Sequence, residues 1–123
     1  MRRVIPNDIY RGLPCSIVAV GCALGVADLG ALAGLQSPDL ELDGYLSLKS
    51  MNTLIRANLR VKKAESYKRG ERPTLGAWAH DHVGDEAIIC VHGHFLYFDG
   101  YDYYSFFLNG KDPVVKVWYL DRD

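Results

Sequence analysis

Four apolar runs in the last third of the chain read as β-strands, and they constrain the fold more than any other feature. They span residues 86–92, 94–98, 101–107 and 114–120, and β-branched or aromatic residues dominate them. Between the second and third runs stands Asp-Gly, a dipeptide typical of two-residue hairpin loops, which predicts antiparallel pairing. The earlier chain reads mainly as helices. Helices followed by an antiparallel sheet predict one α+β domain over residues 1–123.

The first predicted helix, residues 15–24, is apolar nearly all round, which predicts that it is buried against the sheet. Residues 27–35 read as a second short helix or a turn. The stretch 17–35 is apolar enough to suggest a membrane span, but Asp28 lies near its centre, where a charge costs roughly 2.5–3.5 kcal/mol. Glycines also interrupt the stretch. We therefore expect no segment that crosses a membrane.

Two further helices are predicted from capping residues and apolar spacing. Residues 47–59 bring their apolar side chains near one face, and Ser47 can cap the N-terminus. Residues 74–82 follow a proline and start with Thr74, a second candidate N-cap. The charged segment 60–70 reads as a short edge strand or an exposed loop.

Composition and charge limit the classes of partner and the compartment. The net charge is −1 and about a quarter of the residues are charged, as in ordinary soluble globular domains. The one basic run, residues 60–72, also contains Glu65 and Glu71, so we interpret it as a solvated surface and expect no nucleic-acid partner. Three widely spaced cysteines make no disulfide framework, which favours a reducing compartment and a cytoplasmic location.

Cys15 is the candidate nucleophile. Pro14 precedes it and a helix of small apolar residues follows, so its sulfur is expected at a helix N-terminus. The helix dipole and the free N–H groups there favour the thiolate and lower the pKa of the thiol. His94 opens a predicted strand about eighty residues later and is the candidate general base. A cysteine on an early helix and a histidine on a late strand are the layout of a cysteine hydrolase.

The order of these motifs resembles the papain-like cysteine peptidase superfamily, and within it the small papain-like proteins of phages and bacteria. The resemblance covers roughly residues 13–25 and 72–120, with these motifs: Pro14-Cys15-Ser16 and a small-residue helix, then Gly93-His94, an apolar strand and Asp99-Gly100. It implies a papain-like fold in which the helix of Cys15 packs on a C-terminal antiparallel sheet. It also implies a peptidase or amidase that acts on a peptide or protein substrate, without a metal or cofactor. Residues 36–71 match nothing in this pattern.

The third, orienting residue of such a site departs from the family pattern. If the Asp-Gly dipeptide is a two-residue loop, His94 pairs with Ser105, and Asp102 lies about 10 Å further along the strand. Ser105 is then the candidate for the residue that orients His94. Asp102 takes this role if the loop is wider, and Asn109 takes it if the sheet is offset. A serine orients an imidazole but stabilises an imidazolium poorly. The alternative function is therefore a catalytically weak or inactive papain-like binding module, such as a phage or bacterial effector.

The oxyanion hole is expected to combine the backbone N–H of Cys15 with a side-chain donor upstream. The resemblance implies a glutamine or asparagine a few residues before the cysteine. Asn7 is the only amide side chain in that stretch, and Arg11 is the runner-up.

The four histidines invite a zinc hypothesis, because all of them fall within residues 80–94. No Cys-x-x-Cys motif is present, and His80 and His82 would point about 200° apart on a helix. We therefore expect surface histidines at a helix C-terminus and no metal site. Cys22 and Cys90 are expected to be small core residues.

A cluster of aromatic residues near the C-terminus has two interpretations. Its members are Phe95, Tyr97, Phe98, Tyr101, Tyr103, Tyr104, Phe106 and Phe107. The first interpretation is a sheet packed on the helix of Cys15, with tyrosine hydroxyls reaching water. The second is a partly exposed aromatic face that binds a peptide or a partner protein.

Overall fold

The computed structural model describes residues 3–4, 15–25, 48–91, 94–105 and 111–121, with the backbone alone at residues 3–4, 15–18, 50 and 105. The described helices are α1 (Cys15–Leu24), α2 (Leu48–Asn58) and α3 (Leu75–Asp81). The described strands are β1 (Arg3–Val4), β2 (Val61–Ser66), β3 (Ala87–Val91), β4 (His94–Phe98), β5 (Tyr103–Ser105) and β6 (Val114–Leu120). The helix predicted over residues 27–35 and the cap predicted at Ser47 lie outside these residues.

All six strands belong to one sheet with the order β1-β5-β4-β3-β6-β2. Every neighbouring pair is antiparallel except β1 and β5, which are parallel. The predicted class, α+β with an antiparallel sheet, is confirmed. For the segment 60–70 the sequence left open an edge strand or an exposed loop, and the structure has the edge strand, β2. The two-residue strand β1 was not predicted, because it is too short to carry a periodic pattern.

Helices cover both faces of the sheet, and the central strand β3 is therefore buried along its whole length. Successive side chains of a strand point to opposite faces. The α1 face carries Ile88, Cys90, Phe95, Tyr97, Trp118 and Leu120 against α1 and α2. The α3 face carries Ala87, Ile89, Val91, Leu96, Phe98, Tyr103, Val114, Val117 and Tyr119 against α3. Each large apolar side chain buried in this way contributes roughly 1.5–3 kcal/mol to folding.

Helix α1 begins at Cys15, as predicted, and packs on β4. Ala19, Val20 and Ala23 are fully buried at this contact. Such small side chains allow the helix axis to approach the sheet closely. In the described part of the chain, the helices are too short or too polar to span a bilayer.

The side chain of Asn52 ties α2 to the α1 face of the sheet. Its Oδ1 accepts a hydrogen bond from the Trp118 indole nitrogen at 3.0 Å and another from Arg56 Nε at 2.9 Å. Met51 and Ile55 of the same helix are completely buried, which confirms the predicted apolar face at these two positions. Leu48, assigned to that face from the sequence, is 39% exposed.

Thr74 caps α3, as predicted. Its hydroxyl accepts a hydrogen bond from the backbone N–H of Ala77 at 3.2 Å, which satisfies one of the free donors of the first turn. The predicted inner face of this helix is confirmed, since Leu75, Trp78 and Ala79 are buried.

Four residues, 99–102, connect β4 and β5, and the pairing expected for a two-residue Asp99-Gly100 loop is wrong. The side chain of Asp99 explains the difference: its Oδ1 accepts from the N–H groups of Tyr101 at 2.8 Å and Asp102 at 2.7 Å. The Asp99 N–H also donates to the Asp102 carbonyl at 3.1 Å. The last bond continues the pairing of the two strands to Asp99 and Asp102, so the turn is centred on residues 100 and 101 instead of 99 and 100. Tyr97 consequently pairs with Tyr104, and Phe98 with Tyr103.

Gly100 fixes this loop against the turn that follows α3. It has φ +104°, and its carbonyl accepts from the Gly84 N–H at 2.9 Å. A Cβ at position 100 would lie 3.2 Å from Gly84 Cα, closer than ordinary van der Waals contact. The loop thus requires glycine both for its backbone angle and for the close approach of a second chain segment.

We expect Gly100→Ala to destabilise the fold more than Gly70→Ala. Both glycines have a positive φ, so each substitution costs on the order of 1 kcal/mol of strain. Position 70 has open space for a Cβ, whereas at position 100 the backbone of Gly84 must move. Urea unfolding of the two variants measures the difference. Equal losses would show that the approach of Gly84 to Gly100 contributes nothing.

Candidate functional site

The backbone of Cys15 forms the first residue of α1, at the helix start that the sequence predicts. Its side chain lies outside the described residues. Asn7, Arg11 and Asn109 also lie outside them, so the oxyanion donor and one alternative for the orienting residue stay predictions.

His94 is the first residue of β4 and pairs with Val91, the last residue of β3. Only positions 92 and 93 separate the two strands, so His94 stands at the end of the sheet. The ring is half-buried, and this burial lowers its pKa below the ordinary value, while the nearby Asp112 carboxylate acts in the opposite direction. Burial therefore favours the neutral imidazole, which is the form that accepts a proton.

Asp112 is a residue of this site that the sequence reasoning missed. Its carbonyl accepts from the Leu75 N–H at 2.8 Å, which fixes it beside the start of α3. Val91 pairs with His94 on one side and with Val114 on the other, so Asp112, two residues before Val114, belongs to the same end of the sheet as His94. The Asp-Pro dipeptide before the last strand was the available signal. Nothing in the sequence spacing connects that dipeptide with His94.

Two of the three residues offered to orient His94, Ser105 and Asp102, lie in the described part of the chain, and the strand register places both away from the position opposite His94. The expected pairing of Ser105 with His94 is wrong, since the pairing of Tyr97 with Tyr104 puts Ser105 opposite Leu96. Asp102 lies in the loop beyond Phe98, at the other end of β4 and about 13 Å along the strand from His94. The carboxylate whose charge acts on the His94 ring is that of Asp112.

The pleat of β4 determines which face His94 occupies. Its pairing partner Val91 and the alternate residues Leu96 and Phe98 all belong to the α3 face, so His94 is on that face too. Helix α1 packs on the opposite face. The Cys15 thiol and the His94 ring can therefore meet only around the end of the sheet, where β4 begins. The Cys15–His94 pair stays a prediction.

A second polar cluster lies at the other end of the α3 face and corrects the interpretation of His82 as a surface residue. His82 is half-buried and stacks on Trp78 with ring centroids 4.3 Å apart. Its Nδ1 lies 2.7 Å from the Trp78 carbonyl, and its Nε2 lies 3.2 Å from the Tyr119 hydroxyl. His80 is exposed, as expected. Cys90 is buried and Cys22 is half-buried, in agreement with their prediction as core residues.

Glu65 joins this cluster to the edge strand β2. Its Oε1 accepts from the Tyr67 hydroxyl at 2.6 Å and from the Tyr119 hydroxyl at 3.1 Å. The bond from Tyr67 is the main cause that holds the pKa of Glu65 below its ordinary value. Burial, followed by the bond to the carboxylate, raises the pKa of Tyr67. These contacts make the cluster a connection between α3, β6 and β2. Within the described residues, no three His, Cys, Asp or Glu side chains are grouped to hold a metal.

The described side chains of the aromatic cluster are buried or half-buried, with one exception. Phe95, Tyr97, Phe98 and Tyr103 are buried and Tyr104 is half-buried, whereas Tyr101 is 59% exposed. Positions 106 and 107 lie outside the described residues. The first interpretation, a sheet packed on the helix of Cys15, holds for Phe95 and Tyr97, which face α1.

Comparison with protein-family models, with curated proteins and with solved structures finds no match to this chain. The function is therefore inferred from the residues and from their arrangement in the fold.

We expect His94 to make the unfolding free energy fall as the pH drops through about 6.5, the ordinary histidine value. Because burial lowers the pKa of His94 in the folded state, the unfolded state binds its proton first, and acid favours unfolding. Urea unfolding between about pH 5.5 and 7.5 measures this slope. His94→Gln should flatten it, and the exposed control His80→Gln should leave it unchanged. An unchanged slope in His94→Gln would contradict the burial of this ring.

Proposed function

We propose that this protein is a papain-like cysteine hydrolase, of the peptidase or amidase type, in which Cys15 is the nucleophile and His94 the general base. The observation that carries this proposal is the environment of His94. It is a half-buried histidine on which the charge of the Asp112 carboxylate acts, and it begins the strand on which the helix of Cys15 packs. The proposed location is the cytoplasm, where a reducing environment keeps the thiol free.

Asp112 supplies the electrostatic partner that the sequence pattern lacks. When His94 takes the thiol proton, the imidazolium is stabilised by the negative charge of Asp112, which already acts on the ring in the resting protein. A carboxylate stabilises an imidazolium far better than the hydroxyl of Ser105 would. Asp112 is therefore the proposed positioning residue in place of Ser105 and Asp102.

The proposed reaction runs in two steps through a covalent intermediate. The Cys15 thiolate attacks the carbonyl carbon of a peptide or amide bond, and the N–H of Cys15, with Asn7 as the proposed side-chain donor, stabilises the oxyanion. His94 then protonates the leaving amine, which departs and leaves a thioester. A water molecule, deprotonated by His94, hydrolyses the thioester and regenerates the thiol. This reaction requires no metal or cofactor.

One observation favours the second candidate, a papain-like binding module without turnover. His94 lies on the α3 face, whereas the helix of Cys15 packs on the α1 face. If the two side chains do not meet past the end of the sheet, the thiol lacks its base. The aromatic sheet gives this alternative little surface for a partner, because the described rings of β4 are buried.

We expect iodoacetamide at pH 7 to alkylate Cys15 at least about tenfold faster than Cys22 or Cys90, because only Cys15 is proposed to carry a thiolate. Peptide mass spectrometry of a time course measures the three rates separately. Cys22→Ser is the matched control and should leave the rate at Cys15 unchanged. Labelling in urea should bring the three rates together, which shows that folding causes the difference. Equal rates in the folded protein would refute an activated Cys15 and favour the binding module.

A further inference from the structure

Strand β2 forms one outer edge of the sheet. Among the described strands it pairs only with β6, and all of its residues from position 62 to position 66 are exposed. An edge strand has main-chain N–H and C=O groups that can pair with another strand. The side chains of β2 alternate in the usual way, and Lys63 and Glu65 share the α3 face of the sheet with Tyr119.

The direction of the main-chain groups of β2 follows from one hydrogen bond. The Tyr67 N–H donates to the Val115 carbonyl at 2.9 Å, so Tyr67 turns its main-chain groups toward β6. In an antiparallel ladder this direction alternates from residue to residue. Glu65 and Lys63 therefore also face β6, whereas Ala64 and Ser66 direct their N–H and C=O groups outward.

This alternation restricts how two copies of β2 can pair. In an antiparallel pair, outward-facing residues must lie opposite outward-facing residues, so the two-fold axis passes through a residue and not between two. An axis at Lys63 puts two lysines face to face, and an axis at Glu65 puts two glutamates face to face. An axis at Ala64 instead places each Lys63 opposite Glu65 of the second copy, and Ala64 is the smallest side chain of the strand.

We propose that a second copy of this chain pairs with β2 around a two-fold axis at Ala64, so that the two sheets become one. Ala64 exchanges two main-chain hydrogen bonds with its own counterpart on the axis. Two ion pairs between Lys63 and Glu65 flank these bonds on the α3 face. Opposite charges in directly facing positions favour this register, and like charges disfavour the registers on either side.

The two charged side chains are already held at this edge. The Lys63 ammonium lies 4.8 Å from the centre of the Tyr119 ring, and Glu65 accepts both tyrosine hydroxyls through the same oxygen, Oε1. The other carboxylate oxygen, Oε2, can accept from the ammonium of the second copy. Side chains that are partly ordered beforehand lose less conformational entropy when the pair forms.

The length of the pairing limits the strength of the dimer. The ladder between β2 and β6 has a bulge between Val61 and Lys63, and Lys62 adds a charge there. Bulges and edge lysines both restrict edge-to-edge pairing. The complementary stretch is therefore short, and a weak dimer that dissociates as salt is added is the expected state.

Amide hydrogen exchange of the unmodified chain tests the register directly. Between dilute and concentrated protein, the amides of Ala64 and Ser66 should slow, because their N–H groups become bonded to the second copy. The amides of Lys63 and Glu65 already bond to β6 and should not change. Exchange at Ala64 that is independent of protein concentration would overturn the proposal.

Sedimentation velocity of charge variants tests the ion pairs. Lys63→Glu and Glu65→Lys should each weaken dimerisation, about tenfold or more, since each places like charges face to face. The double variant Lys63→Glu/Glu65→Lys should restore it, because it exchanges the two partners. Lys49→Glu, an exposed position on α2, is the control with the same change of charge. Circular dichroism checks that each variant is folded. A dimer unaffected by the single reversals, or not recovered in the folded double variant, would exclude this register.

Discussion

The antiparallel pairing of β3 with both β4 and β6 is the constraint on which the rest of the structure depends. β3 is buried along its whole length, and its last residue, Val91, pairs with His94 on one side and Val114 on the other. This double pairing fixes where β4 begins. It also brings Asp112, two residues before Val114, to the end of the sheet where His94 lies. The half-buried histidine and its carboxylate are thus a consequence of how the central strand is paired.

Much of the fold follows from local signals in the sequence. The start and end of α1 agree with the prediction, and so do the bounds of β4 and β6. The cap at Thr74 was also predictable, because the hydroxyl satisfies a helix donor within its own segment. The position of the turn after β4 was not, since the Asp-Gly rule concerns the backbone, whereas the Asp99 side chain accepts from two N–H groups of the loop and the turn lies one residue later. The two-residue shift moved Ser105 away from the position opposite His94.

The candidate site was predicted only in part, because its members meet through strands that are distant in sequence. The charge of Asp112 acts on His94 from the far side of β3, a relation that depends on the strand order and leaves no periodic pattern. The environment of His82 was unpredictable from the sequence for the same reason. A histidine at the end of a helix is expected at the surface, but Tyr119 of β6 lies within hydrogen-bonding distance of its ring and donates to Glu65 of β2, so the cluster joins elements that sequence spacing does not connect.

The proposed function depends on whether the Cys15 thiol meets His94 at the end of the sheet, although the pleat puts the histidine on the face opposite α1. The most direct measurement is the pH profile of Cys15 alkylation in the unmodified protein and in His94→Gln. If the two groups form a pair, the unmodified protein keeps a fast rate at pH values well below the ordinary thiol range, and His94→Gln loses this acidic part of the profile. Identical profiles in the two proteins would contradict the pair and leave Cys15 as a thiol without a base.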